Sequence, residues 1–362
     1  MGLVDIVSGM AAPVVAYLVI TALHLALPAR HVEGYVRDAT GAKLRYRLNG
    51  LWVFVATVAL WAASCAAGVL PWDFLYTHRW PSFAGAFLLG LLFTAVVVLR
   101  EPSTGKSLPA DLFFGRAENP QWFGARIDAK MWLYLVGAVM LALNLLSAAA
   151  HHALRFPDDP NPGVFLHVGL FSWFLCEYLF FEEVHLYTYD FVAERTGFKL
   201  GWGCLTFYPY FYGIGLFALA DAPDASAPGW LLVLAALVFF LGWSLARGAN
   251  MQKYTFKTRP DAKFLGRIAP ETVTDGTRTL LVNGFWGVSR HVNYLGEILM
   301  ASGLALALGQ PWAWAPWLYP LYYVALLVPR QIDDDARCAA KYGPLWATYL
   351  KRVPYRIVPF VW

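Results

Sequence analysis

Residues Met131–Ala150 have the sequence MWLYLVGAVMLALNLLSAAA, twenty residues without Asp, Glu, Lys or Arg. A helix of about 20 apolar residues is long enough to cross the hydrocarbon core of a bilayer. Similar apolar stretches recur along the chain, and two of them are interrupted, by Glu177 and by Glu297. The nine predicted spans are Ile6–Leu27, Leu51–Pro71, Phe83–Leu99, Met131–Ala150, Gly163–Phe181, Leu200–Ala220, Trp230–Leu245, Val292–Leu308 and Pro311–Pro329. The predicted fold class is therefore all-α, a polytopic integral membrane protein with about nine to ten transmembrane helices.

The composition agrees with a membrane protein and excludes other classes. Of the 362 residues, 59% are hydrophobic and only 14% are charged, against about a quarter charged in soluble domains. A net charge of +4 leaves no broad basic surface for nucleic acid. The four cysteines lie far apart in the sequence, so neither a metal site nor a disulfide framework is predicted. They are Cys65, Cys176, Cys204 and Cys338.

The distribution of charge between the spans predicts the orientation of the chain. Loops rich in Lys and Arg remain on the cytoplasmic side of a membrane. The basic loops follow the first, third and seventh spans, and the longest covers about Arg247–Leu280. This pattern places the N-terminus outside, and it places that long loop and the C-terminal tail in the cytoplasm. No repeat or added soluble module is visible, so residues 1–362 are predicted to form a single membrane domain.

The last third of the chain has more polar residues than a membrane scaffold requires. Lys253 and Lys257 lie four residues apart and share one face of a helix. With Arg290 and Arg330 they could hold phosphate groups, and Trp286 could stack on a ring. The alternative is that these Lys and Arg residues only provide the positive charge typical of cytoplasmic loops, and that Trp286 only lies at the membrane interface.

That alternative explains the polar residues at the start of the eighth predicted span less well. His291, Asn293 and Glu297 stand there, and polar groups inside a membrane are costly and usually functional. The pattern therefore favours a cofactor pocket.

Three C-terminal segments, Arg247–Lys257, Gly284–Glu297 and Cys338–Pro359, resemble signatures of the sterol reductase family. That family includes delta-14 sterol reductase, 7-dehydrocholesterol reductase and the membrane part of lamin B receptor. The first loop, Leu27–Gly50, and the stretch Gly197–Tyr212 are also similar to the family, so the resemblance covers nearly the whole chain.

The resemblance implies an enzyme of sterol biosynthesis that takes NADPH from the cytoplasm. It implies that residues 231–362 form the NADPH-binding helices and loops and that residues 1–230 form part of a lipid pocket. The matching cofactor positions are Lys253, Lys257, Trp286, Arg290, His291, Asn293, Tyr294, Arg330, Asp334 and Tyr342. Two departures are Lys257, where the family usually has Arg, and Asp333, which replaces an Arg.

The expected reaction is protonation of a carbon–carbon double bond followed by hydride transfer. Asp334 is the first choice for the acid, because a desolvated carboxyl holds its proton to a higher pH. Tyr212, Tyr178 and Glu182 are second candidates, although the two tyrosines could be packing residues and Glu182 could mark the end of a span. The motif Glu182–His185 has the E-x-x-H spacing of di-iron sites, but only one copy exists, so no metal is predicted.

Two other functions stay open. A membrane methyltransferase resembling isoprenylcysteine carboxyl methyltransferase shares a related C-terminal pattern, but its cofactor, S-adenosylmethionine, has no phosphate for Lys253 and Lys257. A non-catalytic sterol-binding membrane protein is the third possibility.

The expected partners are a sterol or sterol-like lipid and the surrounding membrane lipids. The double bond is of the delta-7 or delta-14 type, with the segment Gly284–Tyr294 nearest to the C-7 reductases. The membrane would be the endoplasmic reticulum in a eukaryote and the inner membrane in a bacterium.

Overall fold

A computed structural model describes residues Gly2–Val361, and helices dominate it. The chain forms two compact units, one ending at Ala225 and the next beginning at Ser226. The three sheets formed by these described residues are two-stranded antiparallel hairpins in connecting loops. The helices therefore provide the scaffold of both units.

The first unit begins with helix α1 and a hairpin, and further helices follow. Its longer elements are α1 (Leu3–Ala26), β1 (Arg30–Arg37), β2 (Lys43–Leu48), α2 (Gly50–Ala66), α4 (Arg79–Leu99), α6 (Ala129–Arg155) and α7 (Pro162–Phe180). Its shorter elements are α3 (Phe74–Thr77), α5 (Leu108–Phe114), β3 (Gln121–Trp122), β4 (Ile127–Asp128), α8 (Glu182–His185), α9 (Tyr189–Val192), α10 (Phe198–Trp202), a π-helical turn (Gly203–Phe207), α11 (Tyr208–Phe211) and α12 (Ile214–Leu219).

The second unit contains three long helices joined by a hairpin and short helical turns. Its elements are α13 (Gly229–Thr258), β5 (Thr272–Thr274), β6 (Thr279–Leu281), α14 (Phe285–Val288), α15 (Val292–Ala307), a 3₁₀ turn (Ala315–Trp317), α16 (Leu318–Tyr342) and α17 (Pro344–Arg352).

Helices occupy all nine predicted spans, but the count of nine to ten transmembrane helices is not confirmed. Within residues 2–361, five helices are long and apolar enough to cross a membrane: α1, α4, α6, α7 and α13. Helices α2 and α15 are apolar but shorter. The segment between Phe198 and Leu219 is broken by the π-helical turn, and α16 becomes highly charged beyond Val328.

Helix α6 forms the core of the first unit. Leu133, Val136 and Met140 are fully buried, as expected for a helix that is apolar on all sides. Asp128 caps its N-terminus by accepting hydrogen bonds from the backbone N–H groups of Lys130 and Met131. The sequence thus fixes where the central helix begins and why it is buried.

Glycines bring α13 and α15 of the second unit into backbone contact. A Cβ atom on Gly242 would lie 2.6 Å from the carbonyl oxygen of Gly296, and one on Gly303 would lie 2.7 Å from the backbone nitrogen of Phe239. Small residues allow such close approach between membrane helices. This packing fixes the position of α15, which carries several of the predicted site residues.

Candidate functional site

The predicted cofactor residues lie on α13, α14, α15 and α16 of the second unit, apart from Arg290 and His291, which stand in the turn between α14 and α15. Helix α13 continues 13 residues beyond Leu245, where the predicted span ends, and this extension carries Lys253 and Lys257. On α16, Lys253 has Asp334 and Cys338 as electrostatic neighbours, whereas Lys257 lines a cleft with Tyr342. Residues near the ends of α13 and α16 are therefore neighbours here.

Trp286 is held rigidly beside Lys253. Its indole N–H donates to the carbonyl of Ala249 at 2.8 Å, and the Lys253 ammonium lies 5.7 Å from the ring centroid, within range of a cation–π attraction. The preceding Gly284 has φ +61 and no room for a Cβ beside Gln252. Gln252 also accepts from the backbone N–H of Phe285 at 2.9 Å. A flat aromatic surface and a cation are thus fixed together.

Asp334 lies next to Tyr294 and His291. The Tyr294 hydroxyl donates to Asp334 Oδ2 at 3.3 Å, and the rings of Tyr294 and His291 stack at 4.7 Å. Burial raises the pKa of Asp334 above its ordinary value, although the Tyr294 bond and nearby cations, Lys253 among them, oppose this rise. Burial, with Arg290 and Lys253, lowers the pKa of His291 to about 3. At neutral pH His291 is therefore uncharged.

The structure gives Arg290 internal partners. The residue is 7% exposed, and its guanidinium donates to the carbonyl of Pro354 at 3.0 Å and to Asp335 at 3.1 Å. Arg356 also approaches Asp335, at 3.4 Å. The backbone N–H groups of Arg290 and His291 donate to the carbonyls of residues 355 and 356. Arg290 therefore ties the C-terminal segment to the start of α15.

Two amide side chains in this region have buried polar atoms without a protein partner. Within residues 2–361, Asn293 Oδ1 and both side-chain polar atoms of Gln331 form no hydrogen bond, and Gln331 is fully buried. Burying an amide without a partner costs free energy, so such atoms usually meet water or a ligand. Asn293 fits its predicted role in cofactor binding. Gln331 was missed from sequence because a single glutamine in a charged run gives no signal. Arg330, on the same helix, is half-buried.

Lys257 and Tyr342 line an open cleft of about 540 Å³. Two further cations, Arg278 and Lys341, also line it, together with one carboxylate, Asp261. Arg278 stands on the β5–β6 hairpin and donates to the backbone carbonyl of Lys341. Sequence reasoning missed both cations as site residues. The Asp-Gly pair at 275–276 is a hairpin signal that could have indicated a fold-back of this loop.

The three remaining catalytic candidates lie in the first unit. Glu182 is buried, accepts from the Gly50 backbone N–H at 2.9 Å and so caps α2. Tyr178 is half-buried, its ring lies 4.0 Å from that of His185, and its carbonyl accepts from His185. Tyr212 is half-buried and packs on Tyr208 at 4.6 Å. Glu182 and His185 thus have separate partners, and no group of three or more metal-ligating side chains occurs among residues 2–361.

Comparison with known proteins gives matches along nearly the whole chain. Residues 11–362 match the ergosterol biosynthesis ERG4/ERG24 family. The chain is 31% identical to a Delta(14)-sterol reductase of Arabidopsis thaliana, over 93% of this chain and 91% of that protein. It is 34% identical to a Delta(14)-sterol reductase of Mus musculus, over 94% and 82% of the two chains. It is 31% identical to a Delta(14)-sterol reductase of Methylotuvimicrobium alcaliphilum, over 94% and 80%.

Proposed function

The chain belongs to the ergosterol biosynthesis ERG4/ERG24 family, and from this premise we propose that it reduces a carbon–carbon double bond of a sterol with NADPH. The family resemblance predicted from the C-terminal motifs is confirmed. The observation that carries the proposal is the cluster on α13, α14, α15 and α16, where a half-buried carboxyl, Asp334, accepts from Tyr294 beside Lys253 and Trp286.

The residues present fit a phosphorylated dinucleotide. Lys253 and Lys257 offer two cations one turn apart, roughly 6 Å along α13, and Trp286 offers a flat surface. The unpartnered Asn293 oxygen is an acceptor available to a bound amide. NADPH, when bound, supplies the hydride. Arg290 would act by holding the C-terminal segment against α15, and Arg330 and Tyr342 complete the proposed set along α16.

Asp334 is the proposed proton donor. An isolated alkene accepts hydride poorly, so protonation of one carbon must first generate a carbocation. A carboxyl whose pKa is raised by burial retains the proton to give at a higher pH than an exposed aspartate does. Lys253 and Arg330 would stabilise the carboxylate that forms when Asp334 donates its proton. Tyr178, Tyr212 and Glu182 are the alternative donors; the cap that Glu182 forms on α2 favours a structural role for it.

We propose the delta-14 position as the first substrate to test. The three compared relatives carry the name Delta(14)-sterol reductase, whereas the segment Gly284–Tyr294 favours the delta-7 type, so both belong in the assay. The charge bias of the loops supports a cofactor site on the cytoplasmic side, and the proposed membrane is the endoplasmic reticulum in a eukaryote or the inner membrane in a bacterium.

The test is product analysis with purified protein in lipid nanodiscs. Delta-14 and delta-7 sterols are incubated separately with NADPH deuterated at the transferable position, and the products are examined by mass spectrometry. One deuterium in a product that has lost its double bond is the expected result. Thermal protection by S-adenosylmethionine but not by NADPH would favour the methyltransferase. Binding of sterol without turnover of any substrate would favour a non-catalytic protein.

A further inference from the structure

Two carboxylates from distant parts of the first unit meet at His151, near the end of α6. The Nδ1 atom of His151 lies 3.0 Å from Oδ2 of Asp73, at the start of α3, and its Nε2 atom lies 2.8 Å from Oδ1 of Asp221, just beyond α12. The cluster stands at the opposite end of α6 from Asp128, which caps the N-terminus of that helix. The proposed reaction uses none of these residues.

The hydrogen-bond partners of His151 require a protonated ring. A carboxylate only accepts hydrogen bonds, and a neutral imidazole has a single N–H group to donate. Both ring nitrogens of His151 lie within hydrogen-bond distance of a carboxylate oxygen, so only the imidazolium can donate to both. The neighbouring His152 differs, because its Nε2 accepts from the backbone N–H of Asn161 at 2.8 Å and its Nδ1 therefore donates to the carbonyl of Ala220. Of two adjacent histidines, one is thus arranged as a cation and the other as a neutral ring.

The groups around the cluster keep Asp221 ionised. The Tyr76 ring lies against that of His151, with 4.3 Å between the centroids, and its hydroxyl donates to Asp221 Oδ2 at 2.9 Å. The Arg79 guanidinium lies 4.1 Å from the centroid of the Tyr76 ring, and Arg155, one turn further along α6, is exposed. The hydrogen bond from His151 holds the pKa of Asp221 below its ordinary value. Tyr76 and Arg79 act in the same direction, and burial opposes them. A rise in pH through the range in which histidines titrate therefore changes the charge of His151 and not that of Asp221.

Loss of the proton from His151 leaves one N–H group for two carboxylates. The side chain of Asp221 is 58% exposed and has the Tyr76 hydroxyl as a second donor, whereas the side chain of Asp73 is 21% exposed. Water therefore replaces the contact to Asp221 at a lower cost than the contact to Asp73. Nε2 gives its proton to water and then presents a lone pair to the Asp221 carboxylate. The contact that holds the end of α12, a helix of six residues, is the one that is lost.

We propose that Asp73, His151 and Asp221 form a pH-sensitive clamp. The protonated ring holds the end of α12 against α6 and the start of α3, and loss of the proton releases Asp221. In the proposed orientation this face lies on the side away from the cytoplasm, so the clamp responds to the pH of that compartment. The inference does not rest on the proposed function, because the three residues belong neither to the proposed cofactor set nor to the candidate proton donors.

The experiment measures backbone hydrogen–deuterium exchange in peptides that cover residues 214–225, at about pH 5 and about pH 8, the limits between which histidines titrate. The protein is held in nanodiscs, which expose both faces to the buffer, and the rates are corrected for the intrinsic effect of pH on exchange. The corrected exchange of the parent should be about 10-fold faster at the higher pH, the effect of losing one charge-assisted hydrogen bond. His151→Arg keeps a planar cation that does not titrate in this range, so its exchange should be slow at both pH values. The matched control is His78→Gln, since His78 lies between α3 and α4 and contacts the carbonyl of Phe74; it should keep the parental response.

A second variant, Asp221→Asn, tests the clamp without placing a longer side chain between the carboxylates. Its amide can accept from the protonated ring and donate to the neutral ring, so exchange in this variant should not depend on pH. Equal corrected exchange of the parent at the two pH values would refute the clamp. A parental increase that Asp221→Asn retains in full would also refute it and assign the response to another group, as would an increase that disappears in His78→Gln.

Discussion

Replacing Asp334 by asparagine removes an acid and preserves its shape. Asparagine keeps an oxygen that can accept from Tyr294, which now donates to Asp334 Oδ2 at 3.3 Å. It is also uncharged, like the protonated carboxyl that the raised pKa of Asp334 favours. The neighbouring cation Lys253 therefore faces a similar neutral group below that pKa. We expect turnover to fall by about 10²-fold or more, the usual contribution of a general acid, with little change in NADPH affinity.

The assay separates chemistry from binding. Single-turnover reduction of sterol at saturating NADPH reports the chemical step, and quenching of tryptophan fluorescence reports the dissociation constant of NADPH. Asp333→Asn is the matched control, because Asp333 is the exposed neighbour on the same helix. Asp335→Asn cannot serve, since Asp335 pairs with Arg290 and lies beside Arg356, and its loss would disturb the C-terminal segment.

Two results would refute the assignment of Asp334 as the proton donor. If Asp334→Asn turned over at the parental rate with saturating NADPH, the proton donor would have to be Tyr178, Tyr212 or Glu182. A loss confined to NADPH affinity would mean that Asp334 orients Arg330 or Lys253 and does not supply the proton. The pH profile offers an independent check. If protonated Asp334 is the active form, the parental rate is full at low pH and falls as pH rises through its raised pKa, and this limb should be absent in the variant.

Further predictions concern neighbouring groups and the topology. Tyr294→Phe removes a hydrogen bond that lowers the pKa of Asp334, so the pH at which the rate falls should increase. A pH–rate profile identical to that of the parent would contradict the prediction. Burial raises the pKa of Glu182 from 4.5 to about 7, so the stability this residue contributes is complete below pH 4.5 and is lost as pH rises through about 7. The free energy of unfolding of Glu182→Gln should therefore equal that of the parent at pH 4.5 and exceed it above pH 7 by up to about 3 kcal/mol. The readout is a higher Tm of the variant in detergent, and equal Tm values at pH 8.5 would contradict the prediction. A cysteine introduced at Asp261 should resist a membrane-impermeant reagent in intact cells, whereas ready labelling from outside would reverse the proposed orientation.

Hydropathy located the helices but could not count the spans. It registers composition, so Leu200–Ala220 qualifies as a span although its backbone passes through the π-helical turn at Gly203–Phe207, with Pro209 two residues beyond that turn. For helix α13 hydropathy underestimates the length of the helix, because the polar extension beyond Leu245 remains helical. Whether a segment stays regular depends on its backbone hydrogen bonds, which composition does not record.

The local part of the site could be predicted, and the long-range part could not. The spacing of Lys253 and Lys257 predicts a shared helical face because the period of a helix is local. The pairing of Arg290 with Asp335 joins residues 45 positions apart, and Arg278 contacts Lys341 across 63 positions. No local pattern determines such contacts. Arg290 and Arg278 look alike as basic residues in the sequence, yet Arg290 is buried among C-terminal carbonyls and Arg278 lines an open cleft.

This difference in burial explains how one short region can combine acid chemistry with recognition of charge. Helix α16 is apolar up to Val328 and then highly charged, so Asp334 stands near the change from apolar to aqueous surroundings. Deeper burial would prevent the carboxyl from regaining a proton from water, and full exposure would remove the burial that raises its pKa. Eight residues further on, Tyr342 and the cations of the cleft are open to solvent, where a phosphate can be bound without the cost of burying unpaired cations. A continuous amphipathic helix therefore gives the acid and the proposed phosphate site the different environments that their chemistry requires.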